Sequence, residues 1–285
     1  MDRNSMLYWW GLVRDASVPK PKTIIVRLEE RDVDMFFRCY EDPGERGECR
    51  EFRRRINRIF EELKEAVESL GGYPVFLRTD YTSGKHYSYV NPLYWLGQEA
   101  DLWKVWPLIC ECHEPFETGV FAPPRPHALV VREWLDIERW TDRLPRYNTV
   151  EARLFIRNGE VEEVYPYYHW SGIIEHYRRQ EIGASIFFSA NPAPVIRTLR
   201  REIEETRRDY EKNLVERIKR DLGLLVKYGR IISERIEGYW SVDFVLAGGE
   251  WYFIDMAVGE ASWKPRKLDE TDVILTNTYK AQGEE

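Results

Sequence analysis

The sequence is poor in cysteine, has no long apolar run and carries no excess of positive charge, and each shortage closes off a class of protein. Four cysteines in 285 residues are too few for the disulfide framework of a small secreted domain, so reduced thiols are expected. Cys110, Cys112 and His113 lie close together, but their spacing is not that of a zinc knuckle. Cys39 and Cys49 are distant in sequence, and buried or helix-end thiols are the plainer reading. No stretch approaches about 18 consecutive apolar residues, and no basic segment leads into an apolar core at the N-terminus. Neither a membrane span nor a secretory leader is expected, so the chain reads as cytoplasmic, with no membrane partner. A formal net charge of −7 argues against a surface that clings to nucleic acid as a whole, while leaving room for a local basic groove. Internal repeats, low-complexity tracts and the glycine-to-Gly-Lys-Ser/Thr spacing of a Walker loop are all missing.

What is present suits a folded α+β protein. Hydrophobic residues make up 43% of the chain and aromatic residues 14%, enough apolar surface to offset chain entropy. The length fits one elaborate domain or two to three small lobes. Residues 1–72 read as a small N-terminal α/β portion, with an extended stretch over Thr23 to Leu28 and an amphipathic helix from about Glu45 to Leu70 ended by Gly71-Gly72. Pro74 to Arg78 reads as a strand that runs into a polar loop bearing Lys85. Tyr94 to Cys110 reads as a helix, with Trp95, Trp103 and Trp106 as core. The proline cluster at 123–126 marks a lobe boundary, and Ala128 to Val131 a short strand ending in Arg132-Glu133-Trp134. Asn158-Gly159 signals a hairpin between Glu151–Ile156 and Val161–Tyr168. Apolar positions at helical spacing from Ala193 to Ile236 predict one long or two consecutive helices. Residues 73–131 and 132–268 are then two lobes, and 269–285 a fraying tail.

The chemistry concentrates on a second hairpin, Tyr239 to Leu246 returning through Trp251 to Met256. With Gly249 at the centre of its turn, Val242, Phe244 and Leu246 share a face with Tyr252, Ile254 and Met256. Asp243 then faces Asp255 on the other side. Opposed carboxylates need a cation or a shared proton. Magnesium, which favours one or two carboxylates together with polyphosphate oxygens, meets that need; otherwise the two acids are ordinary solvated strand residues. The polar loop with Lys85 either closes over phosphates or is a surface turn. Arg132-Glu133-Trp134, with Asp136 just beyond, has the make-up of a hinge for a purine and its ribose. Arg153, alternating outward with Glu151, can neutralise phosphate charge. His169, set among Tyr167, Tyr168 and Trp170, either helps to place an acceptor or packs structurally.

In their order, the strand–loop–lysine, the hinge, the Glu-x-Arg strand and the Asp…Asp hairpin resemble ATP-grasp proteins. The resemblance covers about Tyr73 to Trp263. It is nearest the cell division cycle 123 family and a related phage and bacterial clade named for two arginines and a lysine. It implies two α/β lobes enclosing a cleft for ATP. Arg78 and Lys85 would reach the phosphates, Arg132, Glu133 and Trp134 receive the adenine, and Asp136 and Arg153 complete nucleotide binding. Asp243 and Asp255 would hold Mg²⁺, with Arg153 and Lys85 as the catalytic cations. The family places an asparagine two residues after its second acid, where this chain has Ala257; Glu260 then either substitutes in part or is a surface carboxylate. Two functions follow from the resemblance: a ligase joining a carboxylate to an amine, or an ATP-binding assembly chaperone or switch with a protein partner. A nucleic-acid role has only Arg53-Arg54-Arg55 and Arg207-Arg208 behind it, and solvated helix faces account for both.

Overall fold

The structure is a computed structural model describing residues 2–34, 50–82, 95–96, 125–144, 148–187, 193–262, 264 and 272–276. Lys85, Trp103, Trp106, Cys39, Cys49, Cys110, Cys112 and His113 lie outside them. The chain divides into two units, Met1–Tyr8 with Pro21–Leu135, and Trp9–Lys20 with Asp136–Glu285. Each mixes helices with an antiparallel sheet, the α+β organisation read from the sequence. Among the described residues no helix is long and apolar enough to cross a membrane.

In the first unit, strands β1 (Thr23–Arg27), β2 (Val75–Thr79), β3 (Trp95–Leu96) and β4 (Ala128–Glu133) form a sheet in the order β1-β4-β2-β3. Trp95 and Leu96 therefore belong to a strand, not to the helix expected there, and they pair with Phe76 and Val75. Strand alternation sends Ile24, Val26, Val75, Leu77, Leu129 and Val131 to one face. The helix Arg50–Ser69 covers that face with Ile59, Leu63, Ala66 and Val67, a spacing that puts all four on one helical stripe. Buried Asp32 fixes this helix by accepting from Arg55 Nη1 at 3.0 Å and Arg58 Nη2 at 2.6 Å. β4 runs two residues further than the sequence suggests, so Arg132 and Glu133 are strand residues and the chain leaves the sheet only at Trp134.

In the second unit, strands β5 (Glu151–Arg157), β6 (Glu160–Pro166), β7 (Tyr239–Ala247), β8 (Glu250–Val258) and β9 (Leu275–Thr276) form a sheet in the order β8-β7-β5-β6-β9. Asn158 and Gly159, both at positive φ, make the two-residue β5–β6 turn that Asn-Gly predicts. The helical run from Ala193 is broken into Ala193–Asp209, a π-helical turn at Tyr210–Val215, Glu216–Arg220 and Leu222–Ser233. The helix Trp170–Phe187 has no counterpart in the sequence reading. Fraying after Leu268 does not extend to 272–276: Asp272 is fully buried, accepting from Trp170 N at 2.9 Å and Tyr210 Oη at 2.6 Å, and β9 pairs with β6.

Ala152, Leu154, Ile156, Trp240, Val242, Phe244 and Leu246 are buried on one face of this sheet. The helix Leu222–Ser233 packs there through Tyr228, whose ring stacks on Phe244 with centroids 6.1 Å apart. Gly229 sets the approach, because a Cβ on it would stand 2.7 Å from Val161 Cγ2 and 2.9 Å from Leu154 Cδ2. Val161 is β-branched and cannot swing aside. Gly229→Ala is therefore expected to destabilise the protein by about 1–3 kcal/mol through overpacking. Gly223→Ala, in the same helix with open space around it, should stabilise by up to about 1 kcal/mol. Chemical denaturation of the two variants checks the contrast.

Candidate functional site

The other face of the second unit's sheet carries the polar residues. Ala247 and Glu250 close the β7–β8 hairpin around Gly248 and Gly249, both at positive φ, a two-residue turn and not one centred on Gly249. Counted from that turn, an unbroken ladder would set Asp243 opposite Ile254. A β-bulge between Asp243 and Phe244 absorbs one extra residue, Ile254, and Asp243 pairs with Asp255 after all. The expected opposition of the acids thus holds, but by another route and with a different set of companions. Phe253 and Trp251, not Ile254 and Tyr252, lie opposite Phe244 and Leu246, and Met256 lies opposite Val242. The polar face is also less open than expected, since every residue of β7 is buried.

The two carboxylates have different surroundings. Asp243 is flanked on its other side by Arg153 of β5, whose guanidinium grips it as a fork: Nε donates to Oδ1 at 2.7 Å and Nη2 to Oδ2 at 2.8 Å. This is the bidentate geometry that a planar guanidinium matches best. Burial opposes the charge on Arg153, but the carboxylates of Asp243 and Asp255 and the nearby Tyr167 more than offset it, and its pKa is raised. The Tyr167 ring lies over the guanidinium, 4.6 Å from its carbon, where an aromatic face attracts a cation. Arg153 therefore supplies the counter-charge that opposed carboxylates require, and a metal ion is not needed to explain their proximity. Asp255 is half-buried, and its Oδ1 accepts from the Met256 amide at 3.0 Å.

Three further groups complete this face. Glu151, two residues before Arg153 on the same strand, is buried. His169 is buried just ahead of the helix Trp170–Phe187, its ring 5.7 Å from that of Tyr165. Burial, and secondarily the charge of Arg153, lower its pKa to about 4, so it is neutral near pH 7. Two residues beyond Arg153, Phe155 lies beneath Lys264, whose Nζ is 3.9 Å from the ring centre and donates to Glu163 Oε2 at 2.7 Å. Lys264 has no signal in the sequence, being one lysine in a stretch without periodicity. The roles of Tyr167 and His169 depend on the pairing of β5 with β6, which spacing alone does not fix.

Of the remaining expected site residues that are described, Arg78, Arg132, Glu133 and Trp134 belong to the first unit. Arg78 and Arg132 are buried on one face of the first unit's sheet, the face opposite its apolar core; Arg132 pairs with Phe76, and Arg78 with Val130. Arg78 Nε donates to Thr79 O at 3.0 Å. Glu133 accepts from the Lys22 amide through Oε1 at 2.8 Å, so that oxygen serves the sheet edge. Trp134 is 40% exposed. Asp136 is exposed and belongs to the second unit.

Among the described residues no group of three or more His, Cys, Asp or Glu is arranged to hold a metal ion. The donor set of Asp243 and Asp255 is nonetheless one that fits magnesium arriving with a polyphosphate. Asp243 keeps lone pairs beyond those that Arg153 uses, and Asp255 is half-buried rather than buried.

No protein-family model and no curated protein matches the sequence. Solved structures do. C-terminally truncated Cdc123 from Schizosaccharomyces pombe is similar at 11% identity, over 90% of this chain and 83% of that one, with a TM-score of 0.52. N5-carboxyaminoimidazole synthetase from Staphylococcus aureus complexed with ADP matches at 11% identity over 90% and 44%, TM-score 0.43. D-alanine–D-alanine ligase from Bacillus anthracis complexed with ATP matches at 11% over 92% and 58%, TM-score 0.38. The chain spans about half the length of these two enzymes. The Cdc123 likeness shows the fold, and it is the α+β fold that the resemblance implied.

Two outcomes follow from the electrostatics. Asp243→Asn, which strips a buried guanidinium of its partner, should cost about 3–5 kcal/mol, and adding Arg153→Met should recover part of that loss; a double-mutant cycle in denaturant measures both. Since His169 titrates lower folded than unfolded, the unfolded chain takes up the proton first as pH falls. Stability should therefore drop between about pH 6.5 and pH 4, by up to about 3 kcal/mol from this residue, and level off below. His169→Gln should flatten that limb of the stability–pH curve.

Proposed function

We propose, starting from a chain that folds as Cdc123 does, that it binds Mg-ATP through Asp255, Asp243 and Arg153 and uses it to join a carboxylate to an amine. The observation that carries this reading is the bulged hairpin: it sets two carboxylates side by side and leaves one of them accessible, next to a buried guanidinium. Such a face suits a polyphosphate and its cation better than either alone. The acids take the metal, and the guanidinium takes phosphate oxygen.

Magnesium bound with the nucleotide would supply charge neutralisation at the transferred phosphoryl group. The chain's residues would do the rest. Arg153, held charged and immobile by Asp243, is preorganised to face negative charge as it develops, without reorganising at the moment of reaction. Neutral His169 and the ring of Tyr167 restrict water around it. In the reaction, a substrate carboxylate oxygen takes the γ-phosphoryl group and ADP leaves; an amine then attacks the acyl carbon, phosphate departs and the amine proton is released. Arg78, Lys85, Arg132, Glu133, Trp134 and Asp136 remain proposed nucleotide-binding residues on the resemblance, with Lys85 as the second catalytic cation.

One observation favours a second reading, an ATP-binding assembly factor or switch without turnover. Ala257, on the same face as Asp255, pairs with Ser241 and offers no carboxylate or amide to a metal. Phosphate release coupled to a mass-shifted product, from Mg-ATP with a pool of carboxylates and amines, supports the ligase. Tight ATP binding without turnover, with a protein partner recovered, supports the switch.

Asp255→Asn tests the shared core of both readings, because it leaves in place the fork that Asp243 makes with Arg153. We expect the variant to keep its thermal midpoint within a few degrees and to lose at least about tenfold in magnesium-dependent ATP affinity by calorimetry. Unchanged affinity would remove the nucleotide site from this hairpin.

A further inference from the structure

The second unit has an open, polar cavity of about 440 Å³ between the loop 139–143 and the helical residues Asp209 and Asn213. Its volume is at the lower end of what small-ligand sites occupy, about 300–1,000 Å³. Buried Trp140 joins the two walls: its ring meets that of Tyr210 edge-on, with centroids 5.6 Å apart, and its carbonyl accepts from Asn213 Nδ2 at 3.1 Å. The helical wall includes the π-turn Tyr210–Val215, which buries Tyr210, Leu214 and Val215 and leaves Asn213 exposed. Such turns are rare and recur at functional sites.

The charges on the walls balance in sign, but only some of them are paired. Arg143 is committed, donating to Asp209 Oδ2 and, through Nη2, to Glu205 Oε2 at 3.2 Å. Thr141 Oγ1 also donates to Asp209 Oδ2, at 3.1 Å. The Asp209 carboxylate is thus fixed by one oxygen, and its Oδ1 has no hydrogen-bond partner among the described residues. The side chains of Arg139 and Asp142, both exposed, have neither a hydrogen bond nor an ion pair among the described residues. Asn213, with its amide nitrogen used, keeps its amide oxygen for another donor. One guanidinium fork and three oxygen acceptors are left over.

A free anion in this cavity would meet two aspartates, and a bare cation two arginines, so neither suits it. A molecule bearing both charges does. We infer that the cavity binds a small zwitterion carrying an ammonium and a carboxylate, the arrangement of a free α-amino acid. The Arg139 guanidinium donates two parallel bonds to the carboxylate. The ammonium has three N–H donors, and Asp142, Asp209 Oδ1 and Asn213 Oδ1 supply three acceptors. Thr141 and Arg143 are positioning residues that act through Asp209. None of these residues belongs to the proposed nucleotide set, so the cavity binds its ligand whether or not the protein takes ATP.

The test screens the full chain against the common L-amino acids by thermal midpoint and follows with calorimetric titration. At least one is expected to bind with a Kd of about 1 mM or tighter, and its amide and its N-acetyl derivative, each lacking one charge, at least about tenfold more weakly. Arg139→Gln and Asp142→Asn change exposed side chains, so the unliganded variants should keep their thermal midpoints within a few degrees. Each should lose about tenfold or more in affinity for that amino acid. Absence of binding by every amino acid at up to about 10 mM would overturn the inference. So would blocked derivatives that bind as tightly as the free amino acid, or affinity unchanged in both variants.

Discussion

The fork between Arg153 and Asp243 is the interaction on which the rest of the site depends. A guanidinium and a carboxylate buried together are each intolerable alone, and the bidentate geometry makes the pair tolerable by satisfying both in one plane. Everything nearby adjusts to that fixed charge. His169 is neutral partly because Arg153 is not, and the Tyr167 ring finds its position over the guanidinium. Asp255, half-buried, adds its own charge to those that raise the Arg153 pKa.

The two faces of the five-stranded sheet divide the labour. One is apolar and takes the helix Leu222–Ser233, with Gly229 allowing close approach; the other collects Glu151, Arg153, Asp243 and Asp255. The bulge at Ile254 is where these demands are reconciled. Without it, β8 would turn Asp255 toward the core and Met256 away from it. With it, Trp251, Phe253 and Met256 all reach the apolar side, and Asp255 stays on the polar one in a less buried setting than Asp243. Two chemically identical side chains are thereby given different tasks, one structural and committed, the other accessible.

Much of this was legible in the sequence, and what was not has physical causes. The hairpins, the helix Arg50–Ser69 and the opposition of Asp243 to Asp255 follow from period, turn chemistry and register, all of which are local. The bulge had a readable trace, since the apolar spacing Trp251, Phe253, Met256 slips phase between the second and third residues, but a turn centred on Gly249 gave the same opposed acids without it. The guanidinium partner was not legible as such: opposed carboxylates announce a need for positive charge without saying whether a metal or Arg153 meets it. The extension of β4 through Arg132 and Glu133 was hidden because charged residues at the end of an apolar run look like a loop, although pairing on both sides with Thr23 and Phe76 holds Arg132 in the sheet. Lys264 and Asp272 act across about a hundred residues, beyond the reach of any window.

Asp272 carries a consequence for timing. The first amide of the helix Trp170–Phe187 lies next to His169, and it is capped not by a neighbour but by a carboxylate 102 positions later; Tyr210 Oη bonds the same oxygen. A chain made from its N-terminus can pair β5 with β6, and later with β7, while this corner still lacks its cap. The corner beside Arg153 is thus sealed by some of the last described residues to be synthesised. Synthesis past Asp272 is what completes the site's surroundings.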